Sequence, residues 1–415
     1  MKNRKIANII IERSRWKTGR IIVLTGARQT GKTTLIRHLF PDYEYISIED
    51  PLLRENYSKL TASQWNALYP HAILDEVQKE PKLIESIKAV YDQWKEPRYI
   101  LLGSSQLLLL EKVKESLAGR SIITEVFPLT VPELRTNSWD DPVEDSLFQK
   151  EIKGMETYEI LPSFLLDKYM PEKQKAWDHY LMFGGYPSLS DDKAGTEEKY
   201  VWLQNYVKTY LERDIRDLAS FRDLDNFIKL QRYMAQNTAA LVNTTAIANH
   251  LGLSVKTVQR YLRYFELSYQ SVTLPGWSAN ANKRLYKMPK IHFLDNGIIQ
   301  AVLQKRGGIT GNEFESLVVA EIYKQIRTLD VQVQLYHLRT YDGKEIDLLI
   351  ETPEYYLAFE IKMTSNITKA AAKNIKGLED ILDKPLKRAF ILTNDRETKH
   401  LNEKTIAVNV AMFLS

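Results

Sequence analysis

Residues Gly26-Ala27-Arg28-Gln29-Thr30-Gly31-Lys32-Thr33 satisfy the pattern G-x-x-x-x-G-K-[ST] at every fixed position. The chemistry of that pattern is phosphate binding. Glycines let the backbone curl so that its N–H groups point inward at an anion, and a helix starting at the end of the loop adds the positive end of its dipole. Lys32 would reach the β- and γ-phosphates of a nucleoside triphosphate, and the Thr33 hydroxyl would ligate Mg²⁺. Gly26 to Thr34 is therefore the expected ATP-binding segment.

A second apolar run, His71-Ala72-Ile73-Leu74, ends in Asp75-Glu76. Asp75 is placed to hold Mg²⁺ through water, and Glu76 to polarise the attacking water. A third run, Tyr99-Ile100-Leu101-Leu102, ends in Gly103-Ser104-Ser105. Ser104 or Ser105 could contact the γ-phosphate or the water. Arg120 precedes a further apolar run and is a candidate for stabilising transition-state charge, from its own chain or from a neighbouring subunit.

Near the C-terminus a second group of acids stands out. Glu345-Ile346-Asp347 and Phe359-Glu360-Ile361-Lys362 read as two strands. Residues two apart on a strand share a face, so Glu360 and Lys362 project together, and Asp347 can meet them from next door. Upstream, Asn312–Arg327 reads as a helix. At about 100° per residue, Glu315 and Glu321 both fall in its apolar arc, with Glu315 nearer the centre. Carboxylates on an apolar face require a partner or a metal. Asp347 and Glu360, with Glu315 or Glu321 from the helix, are candidate metal ligands, and Lys362 would orient or activate water.

These residues need elements to position them. Ile21–Thr25, Tyr43–Ile48, Ala72–Leu74, Tyr99–Leu102 and Ile122–Val126 are short apolar segments separated by helical patterns. They predict a parallel sheet covered on both faces. Asn137–Pro142 reads as a linker, and 155–233 as mainly helical. Asn243–Leu251 and Val255–Phe265 read as two short helices around Gly252, with Ser254 as an N-cap. Lys256, Thr257, Gln259, Arg260 and Arg263 populate the exposed positions of the second helix, and Lys283, Arg284, Lys287 and Lys290 follow as a basic stretch that could form a wing. Lys256, Arg260, Arg263, Lys283 and Arg284 are the DNA-contact candidates. From Asn312 onward the expected order is helix, strand, strand, helix, strand.

Composition sets bounds. The chain has 415 residues, 44% hydrophobic and 27% charged, which is ordinary for a folded protein and argues against disorder. It contains no cysteine, which excludes disulfides and thiolate metal sites, and its seven histidines show no paired metal-ligand spacing. No apolar stretch approaches the roughly 18 residues of a membrane span, and the N-terminus lacks the apolar region of a secretory signal. A cytoplasmic location is expected. The net charge of +4 permits nucleic-acid binding without arguing for it.

Taken with Leu74–Gln78, Gly103–Ser105, Leu117–Arg120 and Phe127-Pro128-Leu129, the phosphate-loop segment resembles the archaeal-type AAA-superfamily ATPases of bacteria and archaea. These carry a C-terminal region of unknown function. Tyr180–Pro187, Tyr210–Leu218, Lys283–Lys290 and Phe293–Gly297 resemble recurring motifs of that region. The last third, in its order of helix, Asp-bearing strand and E-x-K strand, is similar to the PD-(D/E)xK nuclease fold, which implies Glu315, Asp347, Glu360 and Lys362 as its site, with Glu321 the reserve for the first acid.

The resemblance implies an α/β protein in three parts: a P-loop AAA-type domain (1–137), a helical and winged-helix domain (138–300) and an α/β nuclease-like domain (301–415). It implies Ser104 or Ser105 as a sensor of the γ-phosphate, and either a homo-oligomer in which Arg120 acts on a neighbour or a monomer in which it acts in cis. The expected function is Mg²⁺-dependent ATP hydrolysis coupled to DNA binding or remodelling, extending to metal-dependent DNA cleavage if the acids are active. The competing reading is a nucleotide-driven switch or regulator that uses the two downstream domains as protein-interaction modules.

Overall fold

The computed structural model describes residues 1–103, 113, 115–155, 161, 164–191, 193–211, 224–284 and 287–415. Five strands form the first sheet: β1 (Ile21–Thr25), β2 (Glu44–Ser47), β3 (His71–Asp75), β4 (Arg98–Leu102) and β5 (Ser121–Glu125). Their order is β2-β3-β4-β1-β5 and every pairing is parallel. Each overlaps one predicted strand.

Alternation along the strands explains the two covered faces. Ile21, Val23, Leu74, Tyr99 and Leu101 pack on one side with Trp65, Leu83 and Ile87. Ile22, Leu24, Ile73, Ile100 and Leu102 pack on the other with Ile6, Ile10, Leu35 and Ile36. The latter come from α1 (Ile6–Ser14) and α2 (Lys32–Leu39). On the first face lies α3 (Lys82–Gln93).

The middle of the chain is helical: α4 (Met170–Phe183), α5 (Thr196–Tyr206), α6 (Leu224–Gln236), α7 (Thr244–Leu251) and α8 (Val255–Leu267). An antiparallel pair, β6 (Ser271–Leu274) and β7 (Lys290–Phe293), leads into α9 (Asn296–Leu303). Local rules set the α7–α8 corner. The Asn243 side chain caps α7 at the Ala246 N–H, Gly252 ends that helix at φ 67°, and the Ser254 hydroxyl caps α8 at the Thr257 N–H. Val258, Tyr261 and Phe265 bury one face of α8.

The last third is α10 (Gly311–Arg327), a six-stranded sheet and α11 (Val410–Leu414). Its strands are β8 (Gln334–Arg339), β9 (Glu345–Glu351), β10 (Tyr356–Lys362), β11 (Leu386–Thr393), β12 (Lys399–His400) and β13 (Thr405–Asn409), in the order β12-β13-β11-β10-β9-β8. The observed order departs from the expected one: two further strands, β12 and β13, and the helix α11 follow β11, and two changes come earlier. β8 is an added strand, whose alternation is broken by a register shift between Tyr336 and Leu338. Between β10 and β11 there is one 3₁₀ turn, Lys369–Ala372, rather than an α-helix, and Gly377 at φ 70° turns the chain after it.

Apolar packing also crosses the sequence divisions at 137 and 300. Leu129, Leu134, Phe148, Trp177 and Tyr180 share one core with Phe314, Phe359, Phe390 and Phe413. The segment after β5 and helix α4 therefore wrap onto the C-terminal sheet. No helix among the described residues is long and apolar enough to cross a membrane.

Candidate functional site

The phosphate loop lies between the end of β1 and the start of α2. Gly26 has φ 148°, and a Cβ there would stand 2.2 Å from the Val126 carbonyl oxygen, so only glycine fits. Lys32 Nζ donates to the carbonyls of Gly26 and Ala27, at 2.9 and 2.8 Å, which holds the ammonium inside the curl of the loop. Thr30 Oγ1 donates back to the Ala27 carbonyl at 2.9 Å.

Although β4 separates β1 from β3, the two motifs meet. Thr33 Oγ1 donates to Asp75 Oδ2 at 2.7 Å, and the Tyr45 phenol donates to the same oxygen at 2.9 Å. Burial, with the Asp75 charge beside it, pushes the Tyr45 phenol up to about 12. Glu76 directly follows Asp75 at φ 58° and accepts from Gln78. A hydroxyl and a carboxylate in contact beside a phosphate loop are the oxygen donors that Mg²⁺ prefers, so these residues fit the ion. Ser104 and Ser105 lie outside the described residues. Beside the loop opens a cavity of 470 Å³ lined by Arg4, Gly31, Thr34, Leu35, Leu129 and Pro187, among others.

Arg120 is at the opposite end of the strands from the loop. The register pairs Ile21 with Ser121, so Arg120 sits by the start of β1, a strand's length from the loop. Its guanidinium pairs with Asp92 at 2.7 Å. Action on the loop of its own chain is not compatible with that position.

Residues without a recognisable motif hold the loop from outside. Arg4 Nη1 donates to the Thr30 carbonyl at 2.9 Å, and its Nη2 to the Phe127 carbonyl at 2.6 Å. The Tyr206 phenol donates to the Arg28 carbonyl at 3.1 Å. Tyr269, just after α8, places its phenol 2.7 Å from Thr25 Oγ1 and 3.2 Å from Glu125. The sequence offered only the basic N-terminus and interleaved aromatics as a hint.

On α8, Lys256, Gln259, Arg260 and Arg263 are exposed, and Thr257 is half-buried. The basic stretch beyond it behaves differently. Lys283 is exposed, but Arg284 turns onto the C-terminal sheet. Its guanidinium reaches Glu351 at 2.9 Å and Tyr336 at 3.2 Å, and stacks over Trp277. Lys287 donates to the Arg339 carbonyl at 3.1 Å. Arg284 is therefore not a free DNA contact. Glu351 and Asp383 attract the wing-like segment to the neighbouring sheet instead.

The predicted C-terminal acids do gather, but with lysines between them. Lys362 Nζ lies 2.8 Å from Glu360 and 3.8 Å from Asp347. From the other side Lys290 Nζ, on β7, reaches Glu315 and Glu345 at 2.9 Å and Asp347 at 3.8 Å. Asp347 Oδ2 also accepts from the Ile361 N–H. Burial, then the charge of Asp347, pushes the carboxyls of Glu315 and Glu360 up. Burial works against the Lys290 ammonium, but Glu315 and Asp347 outweigh it and hold its pKa above the usual lysine value.

Among the described residues, no group of three or more His, Asp or Glu side chains is arranged to hold a metal ion. As placed, Glu315, Asp347 and Glu360 do not form the expected ligand set. Glu321 is elsewhere. It is fully buried, accepts from the Val131 N–H at 2.7 Å and from Gln325, and pairs with Lys324 at 3.3 Å. It ties α10 to the segment after β5 and is no reserve for the acid cluster.

The AAA domain family matches residues 18–135, and two domains of unknown function (DUF8612 and DUF4143) match 174–307 and 310–413. An uncharacterized protein of Mycobacterium tuberculosis is 26% identical over 408 residues, covering 95% of this chain and 81% of that one. Another, from Methanocaldococcus jannaschii, is 24% identical over 388 residues, covering 87% and 80%. Among solved structures, a Walker-type ATPase of Pyrococcus abyssi aligns with a TM-score of 0.45 and 15% identity, covering 72% of this chain and 94% of that one. The AAA family match coincides with the five-stranded parallel sheet and its loop, so the N-terminal third has the fold of a P-loop ATPase domain.

Proposed function

We propose that the chain hydrolyses ATP and couples the cycle to DNA contact through α8. The contact between Thr33 and Asp75, with Lys32 in the loop beside it, carries this reading. Lys32 binds the β- and γ-phosphates, and the loop N–H groups from Gly26 to Thr34 share that charge. Thr33 and Asp75 would hold Mg²⁺, which supplies charge neutralisation on the phosphates. Glu76 orients a water and accepts its proton. Ser104 or Ser105 senses the γ-phosphate. Arg120 serves the loop of a neighbouring subunit, which makes the active form an oligomer. Lys256, Arg260 and Arg263 provide cations for DNA phosphates. Lys32→Ala should lower the ATPase rate roughly a hundredfold or more; an unchanged rate would refute the site.

A second reading has its own support. Arg284, Lys287 and Lys290 all bind the C-terminal domain of the same chain, as an interaction module would. In that reading the protein is a nucleotide-driven switch. Duplex DNA added to the ATPase assay at stated salt separates the two, since a rate and an affinity indifferent to DNA and to salt favour the switch.

A further inference from the structure

Lys290 occupies an unusual position for a lysine. Its side chain is 4% exposed and enters the acid cluster from a different part of the chain. Around it acids outnumber cations. Glu315, Glu345, Asp347 and Glu360 are four carboxylates, and Lys290 and Lys362 are the two ammoniums that touch them. Burial drives Glu315 and Glu360 toward their neutral forms, and the adjoining ammoniums of Lys290 and Lys362 oppose that; a cation at this point is what lets the acids stay charged.

The strand that delivers Lys290 carries a second polar group to the same face. His292, two residues along β7, is fully buried and makes no hydrogen bond through either ring nitrogen. Burial, with Lys290 beside it, keeps that imidazole neutral. β7 therefore offers one fixed positive charge and an unsatisfied neutral donor–acceptor ring at the junction with α10.

We propose that Lys290 is an autoinhibitory plug: its ammonium takes the place among Glu315, Glu345 and Asp347 that a divalent cation would need, and holds the C-terminal acid site closed. A lysine ammonium brings one positive charge and no coordination sphere, so it neutralises the acids without enabling metal chemistry. The neighbouring clamp supports this. Arg284 on Glu351 and Lys287 on the Arg339 carbonyl fasten the same segment to the same sheet. β7 pairs with β6, which follows directly on α8. Any displacement of the α7–α8 unit that carries β7 along would withdraw Lys290. The plug stands independently of ATP hydrolysis, and a failure of the Lys32 site would leave it intact.

The test uses the full chain without nucleotide and Mn²⁺ as probe, with free Mn²⁺ followed by its paramagnetic resonance signal. Lys290→Met keeps the side-chain length and removes the charge. It should gain one Mn²⁺ site bound roughly tenfold or more tighter than any in the parent. Lys290→Arg should gain none, and Lys290→Met with Asp347→Asn should lose the new site. Equal binding by parent and Lys290→Met, or a new site that persists without Asp347, would overturn the proposal. Should Lys290→Met melt early because its acids repel, Mn²⁺ must restore the transition, and must fail to do so once Asp347→Asn is added. An unstable variant that Mn²⁺ does not rescue also refutes the plug.

Discussion

The phenol of Tyr269 lies 2.7 Å from the hydroxyl of Thr25, the residue immediately before the phosphate loop. Tyr269 follows α8, and its phenol also contacts Glu125, which pairs with Arg327 at the end of α10. One side chain thus touches the loop strand and, through Glu125, the C-terminal helix. Tyr269→Phe removes the hydroxyl from a buried network and should cost about 1 kcal/mol. Any change in ATPase rate that DNA induces should shrink with it. Full retention of both stability and DNA response would show that the contact is incidental.

A buried ion pair joins α10 to the segment leaving the ATPase domain. Glu321 and Lys324 are both fully buried, and Lys324 also donates to the Leu129 carbonyl at 3.3 Å. Lys324→Met leaves Glu321 buried without its cation. The expected loss is about 3 kcal/mol. Adding Glu321→Gln should recover part of it, because the unpaired charge is then gone. Chemical denaturation of the two variants reads both effects, and a double variant weaker than Lys324→Met alone would contradict the argument.

Stability should fall as pH rises, through Asp295. Its carboxylate caps α9 by accepting from the Gly297 N–H and also accepts from the Gly185 N–H, at 2.9 and 2.7 Å. Gly184 leaves no room for a side chain, since a Cβ there would sit 1.8 Å from the same carboxylate. Burial raises the Asp295 pKa from 3.8 to about 6, with Lys324 opposing. The folded chain then holds its proton more tightly than the unfolded one. The contribution is fully present below about pH 3.8 and is lost as pH rises through about 6, a change on the order of 3 kcal/mol. Asp295→Asn should flatten this slope in melting curves. Parallel slopes in parent and variant would assign the pH dependence to other groups.

Two arginines only 24 positions apart in the sequence should behave oppositely. Arg260 is exposed on α8, whereas Arg284 is engaged with Glu351 and Tyr336. Arg260→Ala should reduce the slope of log affinity for DNA against log salt by about one contact, roughly 0.9. Arg284→Ala should leave that slope alone and lower the melting temperature. The reverse pattern would place the DNA surface on the wing-like segment.

Much of this protein was legible from short-range pattern. The loop from Gly26 to Thr33, the strand ending at Asp75 and the caps at Ser254 and Gly252 depend on neighbours within a few residues, and sequence records such neighbours directly. The pairing of Glu360 with Lys362 follows from strand periodicity in the same way. Other relationships join segments far apart in the chain, and spacing carries no information about them. Arg120 falls at the opposite end of the strands from the loop because parallel strands all start on one side and end on the other. Glu321 and Glu315 share an apolar arc, yet the helix hands one to the Val131 backbone and the other to Lys290, because different partners cover its two ends. Lys290 itself reads as one basic residue among four until β7 packs on α10. Only then does burial turn a surface charge into the counter-ion of an acid site, since an ammonium out of water persists only where carboxylates surround it.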